Sequence, residues 1–132
     1  MEPRISIITL GVQDVDRSIC FYRDGLSLPM RGGGEGIAFF ETKGTWLALY
    51  PRESLAADAN QDAAGEGFPG FTLAHNVRTK DAVDALLAHV VQVGGRLVKE
   101  PVATDWGGYS GYFQDPDGFL WEVAWNPHFW IS

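Results

Sequence analysis

Hydrophobic and polar residues alternate in two blocks of the chain, and the first block predicts a strand, a helix and three strands. Residues 4–12 alternate imperfectly and are rich in Ile, which predicts a strand. Apolar residues at helical spacing follow over 15–24, with Asp14 as the N-cap. Three short strands at 28–32, 36–42 and 45–50 and a short helix at 52–58 complete the block.

The second block repeats this order after a polar, Gly-rich segment at 60–69. Residues 70–77 predict a strand, and Thr79 caps a helix over 80–93 with an apolar stripe along one side. Strands are then predicted at 96–99, 109–114 and 119–125. The order strand, helix, three strands therefore occurs twice, which indicates an internal duplication.

Each block predicts one helix packed on one face of a small sheet, so the fold class is α+β. We expect two βαβββ modules that form a curled mixed sheet around a shared cleft, with the helices outside. The chain is expected to be a single domain, with module one at 4–51, a linker at 52–69, module two at 70–126 and a C-terminal tail at 127–132.

Composition narrows the function classes. The chain has 132 residues, 45% of them apolar, which is enough for a packed core. A net charge of -7 without a basic run argues against nucleic acid as a partner. No apolar run is long enough to cross a membrane, and the first residues lack signal-peptide features. Cys20 is the single cysteine, so we expect a reduced, cytoplasmic protein.

The candidate for chemistry is Glu122, which lies in an aromatic strand after the turn sequence Asp-Pro-Asp-Gly at 115–118. A carboxylate in such a strand costs free energy unless it has a partner, a ligand or water. Strand alternation places Trp121 and Val123 on the opposite face, against the helix. Three roles stay open for Glu122: a remaining metal ligand, a proton-transfer group or a structural acceptor.

Aromatic and polar residues near Glu122 supply candidates for ligand binding. Trp106, Tyr109 and Tyr112 follow a Gly-rich turn and form either a cavity wall or a packed rim or subunit contact. His75 and Asn76 are neighbours on one strand, so only one of them can face the cleft. The first module adds two aromatic candidates that face either cleft or core, Phe40 and Trp46.

Two motifs carry a family resemblance: LGVQDVDRSICFY at 10–22 and DPDGFLWEV at 115–123. With the repeat, they resemble the vicinal oxygen chelate superfamily of glyoxalase I, bleomycin-resistance proteins and extradiol dioxygenases. WGGYSGYFQDPDG at 106–118, followed by WEVAWNP, resembles a glyoxalase-like bacterial subgroup of unassigned chemistry. The resemblance implies a small-molecule site and frequent pairing of domains.

The resemblance also implies a divalent metal held by up to four His or Glu residues, two from each module. Carried over by position, the four ligand places fall on Ile7, Leu47, Phe71 or Thr72, and Glu122, and the internal repeat also matches Leu47 to Glu122. Glu122 alone has a suitable donor, and one carboxylate does not make a metal site. We therefore expect no metal and no cofactor.

The favoured function is binding of a small organic molecule in an aromatic cleft without the usual metal, as in sequestration of a drug. Alternatives are a metal-dependent lyase, isomerase or dioxygenase with an atypical site around Glu122 and His75, or a metal-free enzyme that uses Glu122 for proton transfer. The expected partner is a small-molecule ligand, with no nucleic acid and no membrane. The apolar tail over 125–131 favours a homodimer.

Overall fold

The computed structural model describes residues 1–33 and 36–128, which divide after Gly67 into two compact units. Residues 129–132 of the predicted tail lie outside the described residues. None of the helices described is long and apolar enough to cross a membrane. Each unit contains one of the two predicted modules, so we describe them in turn.

The first unit is built on a three-stranded sheet with the order β1-β3-β2. Strand β1 is parallel to β3, and β2 is antiparallel to it. Helix α1 continues as a π-helical turn over Cys20–Gly25. The elements are β1 (Ile7–Val12), α1 (Val15–Ile19), β2 (Ala38–Phe40), β3 (Trp46–Pro51) and α2 (Arg52–Asp58).

The strand predicted at 28–32 is wrong, because this segment makes only a single bridge, between Met30 and Phe40. Pro29 has no N–H to donate to a ladder. Gly32 and Gly33 then take positive φ values, which turn the chain away from the strand direction.

Helices pack on both faces of the first sheet. Asp14 caps α1 as predicted, since its carboxylate accepts from the Arg17 N–H at 3.0 Å. The α1 side buries Leu10, Leu49 and Phe40, and the Tyr22 ring lies 6.1 Å from that of Phe40. On the other face, a Cβ added at Gly11 would lie 3.1 Å from the Arg52 Cα. Helix α2, assigned to the linker in the sequence, therefore belongs to the first unit.

The second unit is a four-stranded sheet with the order β4-β7-β6-β5. Strands β4 and β7 are parallel, and the other neighbours are antiparallel. The Thr79 hydroxyl accepts from the Ala82 N–H at 3.0 Å and caps α3, as predicted. The elements are β4 (Leu73–Val77), α3 (Lys80–Gln92), β5 (Arg96–Ala103), β6 (Tyr109–Gln114) and β7 (Leu120–Trp125). The α+β class is confirmed, whereas the shared cleft stays a prediction.

Helix α3 covers one face of the second sheet through Val83, Leu87 and Val90, all of which are buried. Helix and sheet approach closely at Gly111 in β6, where an added Cβ would lie 2.7 Å from Leu87 Cδ1. Only glycine fits there. Because side chains alternate along a strand, Gly111 identifies which residues of β6 and β7 face α3.

Candidate functional site

The alternate residues of β7 divide cleanly between the two faces of the second sheet. Trp121 stacks on Phe113 with ring centroids 6.0 Å apart, and the Lys80 ammonium of α3 lies 5.3 Å from the Trp125 ring. Val123, directly opposite Gly111, is fully buried. These residues form the α3 side, as expected from the sequence. Glu122 therefore lies on the sheet face opposite α3, which we call the open face.

A turn built by Asp115 leads the chain into β7 and sets the position of Glu122. The Asp115 carboxylate accepts from the N–H groups of Asp117 and Phe119, both at 2.9 Å. Gly118 takes a φ of 90°, which other residues rarely adopt. Asp115 is buried, so its two hydrogen bonds hold the turn away from competing water.

Tyr112 is the direct neighbour of Glu122 on the open face. The two residues are partners in the β6–β7 register, and the Tyr112 hydroxyl donates to Glu122 Oε2 at 3.4 Å. Both side chains are half-buried. A hydrogen bond of that length is weak, so a ligand group could replace either partner at low cost. The pair is thus held by the sheet rather than by its own bond.

The environment keeps Tyr112 protonated. Partial burial of the phenol, followed by the charge of Glu122 and the hydrogen bond to it, raises the pKa of Tyr112 above its ordinary value. Tyr112 therefore stays a hydrogen-bond donor through neutral pH. A donor and an acceptor are thus adjacent on the open face.

Small residues surround the pair. Ala74 lies directly opposite Glu122 on β4, and Ala124 follows Glu122 on the same face. Ser110 and Asn76 flank Ala124 on the neighbouring strands. Ala124 and Ser110 are themselves buried, whereas Ala74 is exposed, so room for a ligand atom beside the carboxylate lies on the Ala74 side.

The aromatic wall expected from Trp106, Tyr109 and Tyr112 does not form as one surface. Tyr109 lies on the α3 side, where its hydroxyl donates to Asp84 at 2.7 Å. That hydrogen bond raises the pKa of the Tyr109 phenol. Trp106 lies in the β5–β6 turn with its ring against Gly108, and its carbonyl meets the His128 imidazole at 2.7 Å. Of the two tyrosines, Tyr112 is thus the one on the open face, while Trp106 lies over Gly108 at the turn.

The choice between His75 and Asn76 follows from the β4 register. Asn76 pairs with Ala124 and lies on the open face with Glu122, whereas His75 pairs with Val123 on the α3 side. Partial burial lowers the pKa of the His75 imidazole, so it is neutral at pH 7. His75 and Glu122 point to opposite sides of the sheet and do not converge on one ion.

The two candidates of the first unit are placed differently from each other. Phe40 is fully buried in the α1 core, where it packs beside Tyr22. Trp46 is half-buried and lines a surface hollow of about 510 Å³ with Ile5, Ile7 and Thr45. Of the two, Trp46 alone is accessible to a small molecule.

The register also corrects one position of the predicted repeat. Val12 and Val77 each lie two residues before a helix cap, and they pair with Pro51 and Trp125. Ala48 lies three residues before Pro51, and Glu122 lies three residues before Trp125. The repeat therefore matches Ala48, and not Leu47, to Glu122. The predicted match was wrong by one residue, because a shift of one reverses the face of every side chain in a strand. Leu47 is instead a core residue of the α1 side.

The donors at the four family positions do not fit a divalent metal. With the correction, these positions hold Ile7, Ala48, Thr72 and Glu122. A single carboxylate supplies too few ligands for Zn²⁺ or for an octahedral cation. Over residues 1–33 and 36–128, no three His, Cys, Asp or Glu side chains form a group that could hold a metal ion.

Lys99 is a site residue that the sequence analysis missed. It pairs with Tyr112 across β5 and β6 and so lies on the open face. Two register shifts in β5, between Leu97 and Lys99 and between Lys99 and Val102, break the simple alternation of that strand. A count by twos along residues 96–103 therefore gives no reliable face for Lys99.

Comparison with known proteins gives consistent matches. The family model for the Glyoxalase/Bleomycin resistance protein/Dioxygenase superfamily matches residues 4–123. A metallothiol transferase FosB from Shouchella clausii (strain KSM-K16) is 30% identical over 122 residues, covering 90% of this chain and 77% of the relative.

Solved structures match over nearly the whole chain. A glyoxalase-related enzyme from Fulvimarina pelagi is 35% identical with a TM-score of 0.89, covering 98% of this chain and 93% of that one. A lactoylglutathione lyase from Agrobacterium tumefaciens is 23% identical with a TM-score of 0.73 and covers 100% of both chains. At that lower identity the likeness concerns the fold alone.

Proposed function

We propose a binding function for this chain, which belongs to the Glyoxalase/Bleomycin resistance protein/Dioxygenase superfamily. In this proposal the open face of the second unit binds a small organic molecule, without a metal at the family's usual position. The observation that carries it is the Tyr112–Glu122 pair, half-buried beside Ala74 on the face that α3 leaves uncovered.

The pair has the chemistry of a recognition site. Tyr112 donates, Glu122 accepts, and the phenol ring adds apolar contact area. The ligand inferred from this is an organic molecule with an aromatic or aliphatic body and a group that hydrogen-bonds to the carboxylate. Asn76 on the same face adds an amide that can both donate and accept.

Proton transfer is the second candidate, favoured by the same hydrogen bond. A carboxylate beside a protonated phenol can accept a proton from a bound carbonyl compound while the phenol steadies the oxygen. The name of the FosB relative refers to a metal and a thiol. We derive no metal-dependent step for this chain, because three of the four family positions lack a metal-binding side chain.

A fluorescence titration with Nile red, a neutral dye that brightens in apolar sites, tests the binding proposal. We expect Tyr112→Ala to weaken dye binding at least about fivefold, near 1 kcal/mol. Tyr109→Ala is the matched control, since it removes the same ring from the other face of the same strand. Equal weakening by both variants, or no binding to the wild type, would overturn the proposal.

Elemental analysis of freshly purified protein tests the absence of the metal. We expect zinc, manganese, nickel and iron to stay far below one ion per chain. A content of about one ion per chain that disappears in Glu122→Gln would contradict the proposal.

The homodimer expected from the apolar tail stays a prediction. Sedimentation velocity at micromolar concentration tests it, and a strict monomer would contradict it.

A further inference from the structure

We propose that the ligand of the open face carries an anionic group, bound by Lys99, and a hydrogen-bond donor, bound by Glu122. This inference rests on the proposed function and specifies the chemical class of its ligand. That class is a small organic anion with a hydroxyl, amine or amide group at its other end.

One row of side chains crosses the sheet from β5 to β4. Lys99 is the register partner of Tyr112, Tyr112 is the partner of Glu122, and Glu122 is the partner of Ala74. Directly opposite residues of neighbouring strands project to the same face. Lys99, Tyr112 and Glu122 therefore form a line of cation, phenol and carboxylate on the open face.

The spacing of this line suits a small molecule. Neighbouring strands lie about 4.8 Å apart, so the backbones at Lys99 and Glu122 are roughly 10 Å apart. The lysine side chain has a flexible four-carbon stem and can shorten that gap. A direct ion pair between the two charges would need to reach across the Tyr112 ring. A ligand lying over the ring would meet both charges at once.

The irregular pairing of β5 with β6 determines the face on which Lys99 lies. The register shifts on both sides of Lys99, and in the second shift Glu100 and Pro101 have no register partner. The crowding is visible at Gly111, where an added Cβ would lie 2.7 Å from the Lys99 carbonyl oxygen and 3.0 Å from the Pro101 nitrogen. Bulges commonly re-aim a side chain beside a functional site.

A second cation, Arg96, lies on β5, the edge strand that carries Lys99. Arg96 pairs with Gln114 and lies on the open face, where its Nε donates to the Gln114 side chain at 3.0 Å. Among the residues that the structure describes, Lys99 makes no ion pair or side-chain hydrogen bond. The chain carries a net charge of -7, yet β5 holds two cations, Arg96 and Lys99, and one carboxylate, Glu100. This local positive charge favours an anionic group at the β5 end of the ligand.

Paired dye titrations test this inference. Lys99→Ala is titrated with the anionic dye 8-anilinonaphthalene-1-sulfonate and with neutral Nile red. We expect the affinity for the anionic dye to fall about fivefold and that for Nile red to change less than about twofold. Added salt should weaken anionic-dye binding in the wild type more than in the variant. Lys99→Arg should retain most of the affinity.

Lys80→Ala is the matched control, because Lys80 lies over Trp125 on the α3 side of the same sheet. It should leave both affinities unchanged. Equal effects of Lys99→Ala and Lys80→Ala, or an equal loss for both dyes, would overturn the inference. If Nile red binding still depends on Tyr112 in that case, the proposed function stands without it. If Nile red binding does not depend on Tyr112, the proposed function itself fails.

Discussion

The two units follow one plan, yet they differ on the sheet face that their first helix leaves uncovered. In the first unit, α2 packs on that face, with Arg52 and Leu55 against Gly11. In the second unit, no helix among the described residues of that unit packs on it, and its side chains are Lys99, Tyr112 and Glu122. The two units thus share one plan, and the side chains proposed for ligand binding lie in the second.

The matched positions make the difference concrete. Ala48 occupies the place in the first unit that Glu122 occupies in the second, and Ala48 is fully buried whereas Glu122 is half-buried. A buried alanine contributes packing, while a half-buried carboxylate contributes hydrogen-bonding capacity at a desolvation cost. A polar side chain in the second unit thus stands where the first unit packs an alanine.

The largest expected effect on stability comes from placing a carboxylate in the first unit at the position that Glu122 occupies in the second. Ala48→Glu places a carboxylate at a fully buried position, and we expect it to lower the free energy of unfolding by about 3–5 kcal/mol. Glu122→Gln should change that free energy by less than about 0.5 kcal/mol or raise it slightly. Urea denaturation measures both. A loss of several kcal/mol in Glu122→Gln would make Glu122 a structural acceptor and remove the contrast.

The next largest effect on stability comes from the turns that lead into the closing strands. Asp115→Ala removes the acceptor of two part-buried N–H groups, and we expect a loss of about 2 kcal/mol. In the first unit, Thr42 makes one comparable bond, from its hydroxyl to the Thr45 carbonyl, and Thr42→Ala should cost about 1 kcal/mol. Thermal and urea unfolding test the order. A larger loss in the Thr42 variant would contradict it.

Adjacent residues of β6 test the assignment of faces. Phe113→Leu removes a ring that is stacked in the α3 core, and we expect a loss of about 1.5 kcal/mol. Tyr112→Leu makes the matched change on the open face and should cost less than about 0.5 kcal/mol. Equal losses in urea denaturation would show that both faces are packed alike.

The smallest effect is a pH dependence on the α3 side. Burial lowers the pKa of His75, so the folded state favours its neutral form. As the pH falls through the ordinary histidine pKa, the unfolded chain binds the proton before the folded protein does. A small part of the stability is therefore lost between the ordinary pKa and the lowered pKa of the folded state. An NMR titration of the imidazole protons should give a midpoint below the ordinary histidine value. A midpoint at or above that value would contradict the desolvation of His75.

Local signals in the sequence predicted the elements well. Asp14, Thr79 and Asp115 form the caps and the turn expected of them, because each acts on N–H groups two to four residues away. Alternation along β7 placed Glu122 and Trp121 on opposite faces. These features depend on neighbours in the chain and on little else.

Features that depend on contacts distant in sequence were not predictable in the same way. The match of Ala48 to Glu122 requires the pairing of β1 with β3 and of β4 with β7, which the sequence does not display. Lys99 reaches the open face through irregular pairing with β6. Both features require the register of a neighbouring strand. The opposite faces of Tyr109 and Tyr112, three residues apart on one strand, follow from alternation alone, although the hydrogen bond to Asp84 does not.

The most direct test of the central claim is an ¹⁵N–¹H NMR spectrum of the protein titrated with a set of small aromatic carboxylates. We predict that amide shift changes concentrate at Tyr112, Glu122, Ala74 and Asn76, which surround the candidate site. Glu122→Gln and Lys99→Ala should reduce those changes. Shift changes concentrated instead at the Trp46 hollow of the first unit, or absent from the open face, would contradict the account.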